Sequence, residues 1–164
     1  MKKFKQILLL LLFLELATYC TPDKTKVLVY NKANGFVHES IGPGTEAIKN
    51  LEKTYPFIIE VSDDSLIFRD SSLSNFDVIL FMNTSGNILD EEGEAAFENF
   101  IKNGGGFVGV HAASDTEYEW AWYGECVGNY FHSHPEIQTA ELTVHIPDAP
   151  STKHLPEKYE WNDE

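Results

Sequence analysis

The chain has 164 residues and a formal net charge of −14, and 43% of its residues are hydrophobic. This apolar content is enough for one ordinary globular core, and the 23% of charged residues is well below the level typical of disordered chains. The acidic balance argues against nucleic acids and anionic membrane surfaces as partners, because both repel negative charge.

Residues 1–20 have the order of parts found in a bacterial export signal. Three lysines lie among the first five residues, an apolar run follows from Ile7 to Leu14, and Cys20 ends the segment. The apolar run is too short to span a bilayer. The cysteine resembles the lipidation site of bacterial lipoproteins, although Tyr19 stands where a small residue is usual. The segment therefore predicts a membrane-anchored lipoprotein at the periplasm or cell surface, with a periplasmic or secreted protein as the alternative.

Cysteine usage and charge limit what the exported part can do. Cys126 is the only other cysteine, so no internal disulfide can form if Cys20 carries a lipid. Removing residues 1–20, which hold three lysines and one glutamate, changes the formal charge from −14 to −16. We therefore expect membrane contact only through a lipid anchor.

Strand-like and helix-like segments alternate after a short tether at residues 21–25. The predicted strands span residues 26–31, 57–61, 77–82, 107–110 and 140–146, and the predicted helices span residues 45–54, a segment capped by Asp90 and ended by Gly104, and residues 118–130. The strand that ends at His111 is expected to be buried. This alternation predicts one α/β domain with a doubly wound, mainly parallel sheet and helices on both faces.

Polar side chains follow the first, third and fourth predicted strands. These segments are residues 38–40, residues 83–85 and residues 111–115. The carboxyl ends of parallel strands share one edge of a sheet, so we expect the three loops to meet there. Imidazoles, hydroxyls, a carboxylate and nearby tryptophans suit a polar small molecule, with sugars as the leading candidates because aromatic rings stack on their C–H surfaces.

The candidate residues divide into catalytic and substrate-binding groups. The predicted catalytic residues are His111 and His38 as general acid and base, with Asp115 orienting an imidazole. The predicted substrate-binding residues are Glu39, Ser40, Asn83, Thr84, Ser114 and Trp122. Structural roles are the alternatives: helix capping for the carboxylates and Ser40, packing for Trp122, and a simple hydrogen bond for either histidine.

Three histidines also form a candidate metal site. If His38, His111 and His134 meet, they can hold zinc or a similar divalent ion with one position open to water or a sugar hydroxyl. Their spacing lacks the regularity of a zinc motif, so the metal prediction depends on how the chain folds.

Several segments resemble, in order, the ThuA-like (trehalose-utilisation) family. They are Lys26–Tyr30, Gly35–Ser40, Asn83–Thr84, Gly104–Asp115 and Ser133–Pro135. The resemblance covers residues 26–164 and implies a flavodoxin-like fold of the class I glutamine amidotransferase-like superfamily. It also implies a role in the metabolism of disaccharides and their 3-keto derivatives. Members usually continue beyond the last residues seen here, which predicts a C-terminally truncated fragment.

One departure excludes the chemistry of the related amidotransferases. Those enzymes place a cysteine nucleophile on the turn after the strand, where this chain has His111 followed by two alanines. Two hypotheses remain: a carbohydrate-active enzyme of hydrolase, lyase or isomerase type, and a non-catalytic carbohydrate-binding module that presents sugars to other sugar-processing enzymes. The sequence leaves the oligomeric state open.

Overall fold

The computed structural model describes residues 23–163. The predicted export signal and its lipidation site Cys20 lie outside the described residues. Within residues 23–163, no helix is long and apolar enough to cross a membrane. The described residues form two compact units, residues 23–130 and residues 131–163.

The first unit contains a four-stranded parallel sheet. Its strands are β1 (Thr25–Tyr30), β2 (Phe57–Ser62), β3 (Val78–Met82) and β4 (Gly106–Val110). Their order across the sheet is β2-β1-β3-β4, so the chain first adds a strand on one side of β1 and then continues on the other side. This reversal places a crevice at the carboxyl ends of β1 and β3. Thr25, predicted to end the tether, begins β1.

Helices cover the sheet between its strands. They are α1 (Ile41–Asn50), α2 (Asp70–Leu73), α3 (Glu91–Lys102) and α4 (Ala121–Val127), with 3-10 turns at Leu51–Lys53, Ser65–Ile67 and His111–Ser114. As predicted, Asp90 caps α3, accepting a hydrogen bond from the Gly93 N–H at 2.8 Å. The predicted start of α1 at Thr45 is four residues late, because the first helical turn accommodates Pro43, whose missing N–H needs no partner there. The helix predicted over residues 118–130 is shorter, and Gly128 ends it with φ +92°.

The two faces of the sheet carry separate apolar clusters. Leu28 and Phe81 belong to one cluster, in which Phe97 of α3 is fully buried among aromatic rings. Val29 and Leu80 belong to the other cluster, on the opposite face. Successive residues of a strand point to opposite faces, so the alternation within β1 and β3 builds both clusters. The doubly wound, flavodoxin-like α/β fold with helices on both faces is confirmed.

The prediction that the strand before His111 is buried is wrong. Among the described residues β4 pairs only with β3, so it forms an edge of the sheet. Val108 is therefore 44% exposed. The predicted strand itself is present, and it still delivers His111 to the carboxyl edge.

The second unit contains two antiparallel strands. They are β5 (Gln138–Thr143) and β6 (Lys158–Asp163), with Leu142 opposite Tyr159. The fifth predicted strand thus exists, but it is not part of the parallel sheet, because it pairs antiparallel with β6, a strand that was not predicted. Every residue of β5 is exposed, so no buried face indicated where the strand would pair.

Candidate functional site

Backbone hydrogen bonds join the three loops that follow β1, β3 and β4. The N–H groups of Asn34 and Gly35 donate to the Ser85 carbonyl at 2.8 and 3.1 Å, and the Gly86 N–H donates to the Asp115 carbonyl at 2.8 Å. Short parallel bridges continue the sheet across these loops, at Ala33 with Ser85 and at Gly86 with residue 116. The three loops therefore meet at the carboxyl edge, as the topology requires.

Two imidazoles lie side by side at this edge. The ring centroids of His38 and His111 are 4.7 Å apart, and their planes meet at 77°. His38 also contacts the ring of Phe36, with centroids 4.8 Å apart. His38 is half-buried and His111 is exposed, so a small molecule reaches the pair from solvent. Histidine is the side chain that most often transfers protons in enzymes, so the pair provides two candidate groups for acid–base chemistry.

The backbone at His111 makes a sharp turn directly after β4. Its φ is +46°, in the left-handed region that residues with a Cβ rarely adopt, and a 3-10 turn follows at once. The turn presents the imidazole outside the sheet edge, in the way that a strained strand-to-helix turn presents a nucleophile in other α/β enzymes. The residue at this turn is His111, and Cys126 lies in α4.

Asn83 adds a buried amide at the end of β3. Its φ is +51°, it is 2% exposed, and its Nδ2 donates to the Ser40 Oγ at 2.7 Å. Its Oδ1 is buried without a hydrogen-bond partner, the one such side-chain atom among the described residues. Buried polar groups are nearly always paired, so this acceptor can take a hydrogen bond from a donor such as a water molecule or a ligand hydroxyl.

The neighbouring hydroxyls hold the loops together. Thr84 is fully buried, and its Oγ1 lies 3.0 Å from the Oγ1 of Thr116. The Ser85 Oγ donates to the Phe36 carbonyl at 2.7 Å. Thr84 was predicted to bind substrate; in this conformation its hydroxyl faces the protein and joins two loops.

Comparisons with known proteins agree with this architecture. The family described as ThuA, trehalose utilisation, matches residues 26–164. The chain belongs to the ThuA family. A crystal structure of a protein from Bacteroides uniformis described as ThuA-like is similar over 89% of this chain, with a TM-score of 0.71 and 27% sequence identity. The chain spans 63% of the length of that structure. No curated protein matches the chain.

The ThuA-family chain contains a buried carboxylate that the sequence pattern did not reveal. Glu117 is 3% exposed, and its Oε1 accepts hydrogen bonds from the N–H groups of Ile88 and Leu89, both at 2.7 Å. Burial raises the pKa of Glu117, and the two N–H donors act in the opposite direction. Its φ is +54°. Glu117 therefore holds the loop after β3 against the loop after β4.

No local pattern marked Glu117 in the sequence. It stands in a run of acidic and aromatic residues that resembled the start of a helix. A glutamate in an otherwise aromatic stretch is only weak evidence of a buried carboxylate, because glutamates are exposed far more often than they are buried.

Asp115, Ser114 and Trp122 have partners other than the ones predicted. The Asp115 Oδ1 accepts a hydrogen bond from the Tyr118 hydroxyl at 2.6 Å, and the pKa of Tyr118 rises to about 12 through burial and this bond. Ser114 donates to the His111 carbonyl at 3.4 Å, within the 3-10 turn. Trp122 packs on the ring of Phe97, with centroids 5.9 Å apart. Their roles in orienting His111 or binding substrate stay predictions.

The remaining candidates are Glu39, which is exposed beside Ser40, and His134, which belongs to the second unit. The Nδ1 of His134 lies 2.9 Å from the Pro135 carbonyl. Within residues 23–163, no three side chains of His, Cys, Asp or Glu are grouped as a metal site requires. Two imidazoles suit zinc, and the site with His38, His111 and His134 stays a prediction that metal analysis can test.

The first unit has clefts near both ends of its parallel strands. A cleft of about 260 Å³ beside β4 is lined by His111, Ser114 and Cys126, among others. A larger one of about 660 Å³ lies at the opposite, amino edge, where Asp77 precedes β3 and Gly105 precedes β4. We assign the functional site to the carboxyl edge, because the histidine pair, the unpaired amide and the left-handed residues are all there.

Proposed function

We propose that this protein acts on a sugar or keto-sugar by acid–base chemistry at His38 and His111. The observation that carries the proposal is the 4.7 Å separation of the two rings at the edge where open α/β sheets bind ligands. The description of the family as trehalose utilisation supports a disaccharide or its 3-keto derivative as the substrate class.

Two adjacent imidazoles suit proton transfer next to a carbonyl group. In a 3-keto-disaccharide, a neutral imidazole accepts the proton from C2 while an imidazolium donates a proton to the carbonyl oxygen, which gives an enediol. Return of a proton to C3 moves the keto group and isomerises the sugar. Alternatively, the carbonyl re-forms, the C1–O bond breaks, a C1–C2 double bond forms and the departing oxygen takes up a proton.

The surrounding groups would orient the substrate. Asn83 and Ser40 are hydrogen-bonded to each other, Ser114 lies in the 3-10 turn that begins at His111, and Glu39 is exposed next to His38 in the sequence. The backbone turn at His111 favours a functional role, because left-handed non-glycine residues concentrate at active sites.

A non-catalytic carbohydrate-binding module is the alternative. It is favoured by the contacts of Asp115, whose carboxylate accepts a hydrogen bond from Tyr118 and, within residues 23–163, none from an imidazole. In that function the same edge would bind a sugar and present it to other sugar-processing enzymes.

Turnover assays distinguish the two functions. Purified protein is incubated with trehalose and with 3-keto-trehalose, and the products are followed by NMR. We expect turnover of the keto-sugar that falls at least about 10²-fold in both His38→Ala and His111→Ala, since general acid–base catalysis contributes about 10²–10⁴. His154→Ala, an exposed histidine of the second unit, is the matched control and should keep full turnover. Sugar binding without turnover would identify the module, and neither binding nor turnover would contradict both functions.

We further propose that the protein is exported and anchored by lipid on Cys20. The support is the basic start, the short apolar run and the cysteine at its end. Mass spectrometry of the protein from its native membrane checks this, because lipidation would leave Cys20 as an acylated N-terminal residue. Recovery of the unmodified protein from the medium would instead indicate ordinary secretion.

A further inference from the structure

The cleft beside β4 adjoins the histidine pair, because His111 forms part of its wall. Phe107 and Gly109 of β4 and Val127 of α4 also line it, so the cleft follows the edge strand back from His111. Its volume is about 260 Å³. Pockets for drug-sized ligands span about 300–1,000 Å³, so this cleft suits a single sugar ring rather than a whole disaccharide.

The backbone of β4 gives this cleft hydrogen-bonding groups. The Gly106 N–H donates to the Asp77 carbonyl, next to β3, at 2.8 Å. Alternate residues of a parallel strand bond to the same neighbour, so Phe107 and Gly109 direct their N–H and C=O groups away from β3. Within residues 23–163, β4 pairs with β3 alone, so these groups have no strand partner. Gly109 is exposed, and its backbone donor and acceptor are therefore available to a ligand in the cleft.

The side chains of the cleft suit a ligand without charge. Ser114 and Cys126 add a hydroxyl and a thiol, while Phe107 and Val127 provide apolar surface for the C–H groups of a sugar ring. Among the described residues that line the cleft, none is Asp, Glu, Lys or Arg, although the whole chain has a net charge of −14. A carboxylate or phosphate would find no cation there to offset its loss of water, so a neutral, hydroxyl-rich ligand is favoured.

The position of His38 decides which ring of a disaccharide the cleft can hold. In the proposed reaction the reacting carbons lie between the imidazoles of His38 and His111, whose centroids are 4.7 Å apart. His38 is not among the described residues that line the cleft, so a ring that contacts both histidines lies outside it. His111 belongs to both the pair and the cleft. The ring attached to the reacting one can therefore enter the cleft past His111.

We propose that the cleft beside β4 binds the second, unreacted ring of a neutral disaccharide. The inference rests on the proposed function in placing the reacting ring at the histidine pair. It names the substrate as a neutral disaccharide derivative rather than a monosaccharide or a charged sugar. The backbone of Gly109 and the hydroxyl of Ser114 would bind hydroxyls of the second ring. Cys126 lines the same cleft, so its reactivity reports whether the cleft is occupied.

The first arm of the experiment measures alkylation of Cys126 and requires no turnover. Wild-type protein is treated with iodoacetamide at about pH 8 in the presence of trehalose, glucose or glucuronate, and the peptide that contains Cys126 is followed by mass spectrometry. Trehalose or glucose at about ten times its Kd should slow alkylation roughly tenfold, because only the free cleft reacts. Glucuronate should protect less than glucose does. Glutathione in the same solution is the control, and its rate should not change.

Three results of this arm would overturn the inference. The first is that neither trehalose nor glucose slows alkylation of Cys126, and the second is that glucuronate protects as well as glucose. The third is that alkylation slows as the protein concentration rises without any sugar, because a second copy of the chain would then cover the edge at β4.

The second arm compares turnover of 3-keto-trehalose with turnover of 3-keto-glucose. The wild type should prefer the disaccharide, because the monosaccharide leaves the cleft empty. Cys126→Phe places a bulky ring in the cleft and should reduce this preference at least about tenfold, mainly through KM, because the second ring is bound equally before and during the reaction. Glu125→Phe puts the same side chain at an exposed neighbouring position of α4 and is the matched control.

Thermal unfolding checks that both variants fold as the wild type does. If the folded Cys126→Phe and Glu125→Phe proteins show the same preference, the assignment of the second ring to the cleft is overturned. If Cys126→Phe does not fold, the alkylation arm still decides, because it uses the wild type. Absence of turnover in the wild type would refute the proposed reaction alone, because alkylation of Cys126 separately shows whether the cleft binds a sugar.

Discussion

The left-handed backbone at His111 predicts an unusual order of stabilities for two substitutions. At φ +46° a residue with a Cβ is strained by about 1–2 kcal/mol relative to glycine. His111→Ala keeps this strain, whereas His111→Gly removes it. Glycine also gives the unfolded chain more freedom, which costs roughly 0.4–1 kcal/mol. The net expectation is that the glycine variant exceeds the alanine variant by about 0.5–1 kcal/mol in free energy of unfolding, or about 1–4 °C in Tm.

Urea denaturation of both variants measures this difference. Ser114 provides the matched control, because it lies in the same 3-10 turn and its φ is not positive. There the order should reverse, with Ser114→Ala more stable than Ser114→Gly. If the glycine variant is the less stable one at both positions, the claim that the backbone at His111 is strained is refuted. The account of how this turn presents His111 would then be wrong as well. Neither His111 variant should turn over a keto-sugar.

Two further predictions follow from buried ionisable groups. Burial raises the pKa of Glu117 above its ordinary value of 4.5, so the folded protein holds this proton more tightly than the unfolded chain does. The stability contributed by Glu117 is therefore fully present below pH 4.5 and is lost as the pH rises through the raised folded value. The Glu117→Gln variant keeps an acceptor for both N–H groups. Relative to this variant, the wild type should lose free energy of unfolding as the pH rises over this range. If the difference in free energy of unfolding between the two proteins does not vary with pH, the raised pKa of Glu117 is contradicted. Burial also raises the pKa of Cys126, so alkylation by iodoacetamide at about pH 8 should be slower in the native protein than in urea, and equal rates would show an accessible, ordinary thiol.

The parallel sheet was predictable because its signals are local. In β1, Val27 and Val29 face one apolar cluster while Leu28 and Tyr30 face the other, so the strand is a continuous apolar run in the sequence. Strands buried on both faces need no knowledge of their neighbours to be recognised. Because the strands are parallel, the loops that follow them open at the same edge of the sheet, which is why His38 and His111 were expected at one place.

The partner of β5 was not predictable in the same way. β5 is exposed along its whole length, and β6 carries charged residues at Lys158, Glu160 and Asp163. Ala140 and Leu142 lie opposite Trp161 and Tyr159, but none of these residues is buried, so no buried face indicates the sheet to which either strand belongs. The pairing joins two segments separated by a long connection, which the composition of either strand alone does not indicate.

The site also contains features that only three-dimensional contacts create. Asn83, His111 and Glu117 all adopt positive φ, and none of them is a glycine. A sequence pattern predicts such a conformation at glycine, but for other residues it results from neighbouring groups that hold the backbone in place. Here those groups are far apart in sequence, as the bond from the Ile88 N–H to the Glu117 carboxylate illustrates.

The strain at these three residues connects the core to the site. At about 1–2 kcal/mol each, the left-handed conformations would relax if the loops were free to move. They persist because buried contacts on either side fix the loops, through the hydroxyl pair of Thr84 and Thr116 and through the carboxylate of Glu117. Two of the strained residues, Asn83 and His111, are candidate site residues. The fold therefore gives up stability to hold a buried amide and an exposed imidazole in fixed positions, which is the arrangement that a preorganised binding or catalytic site requires.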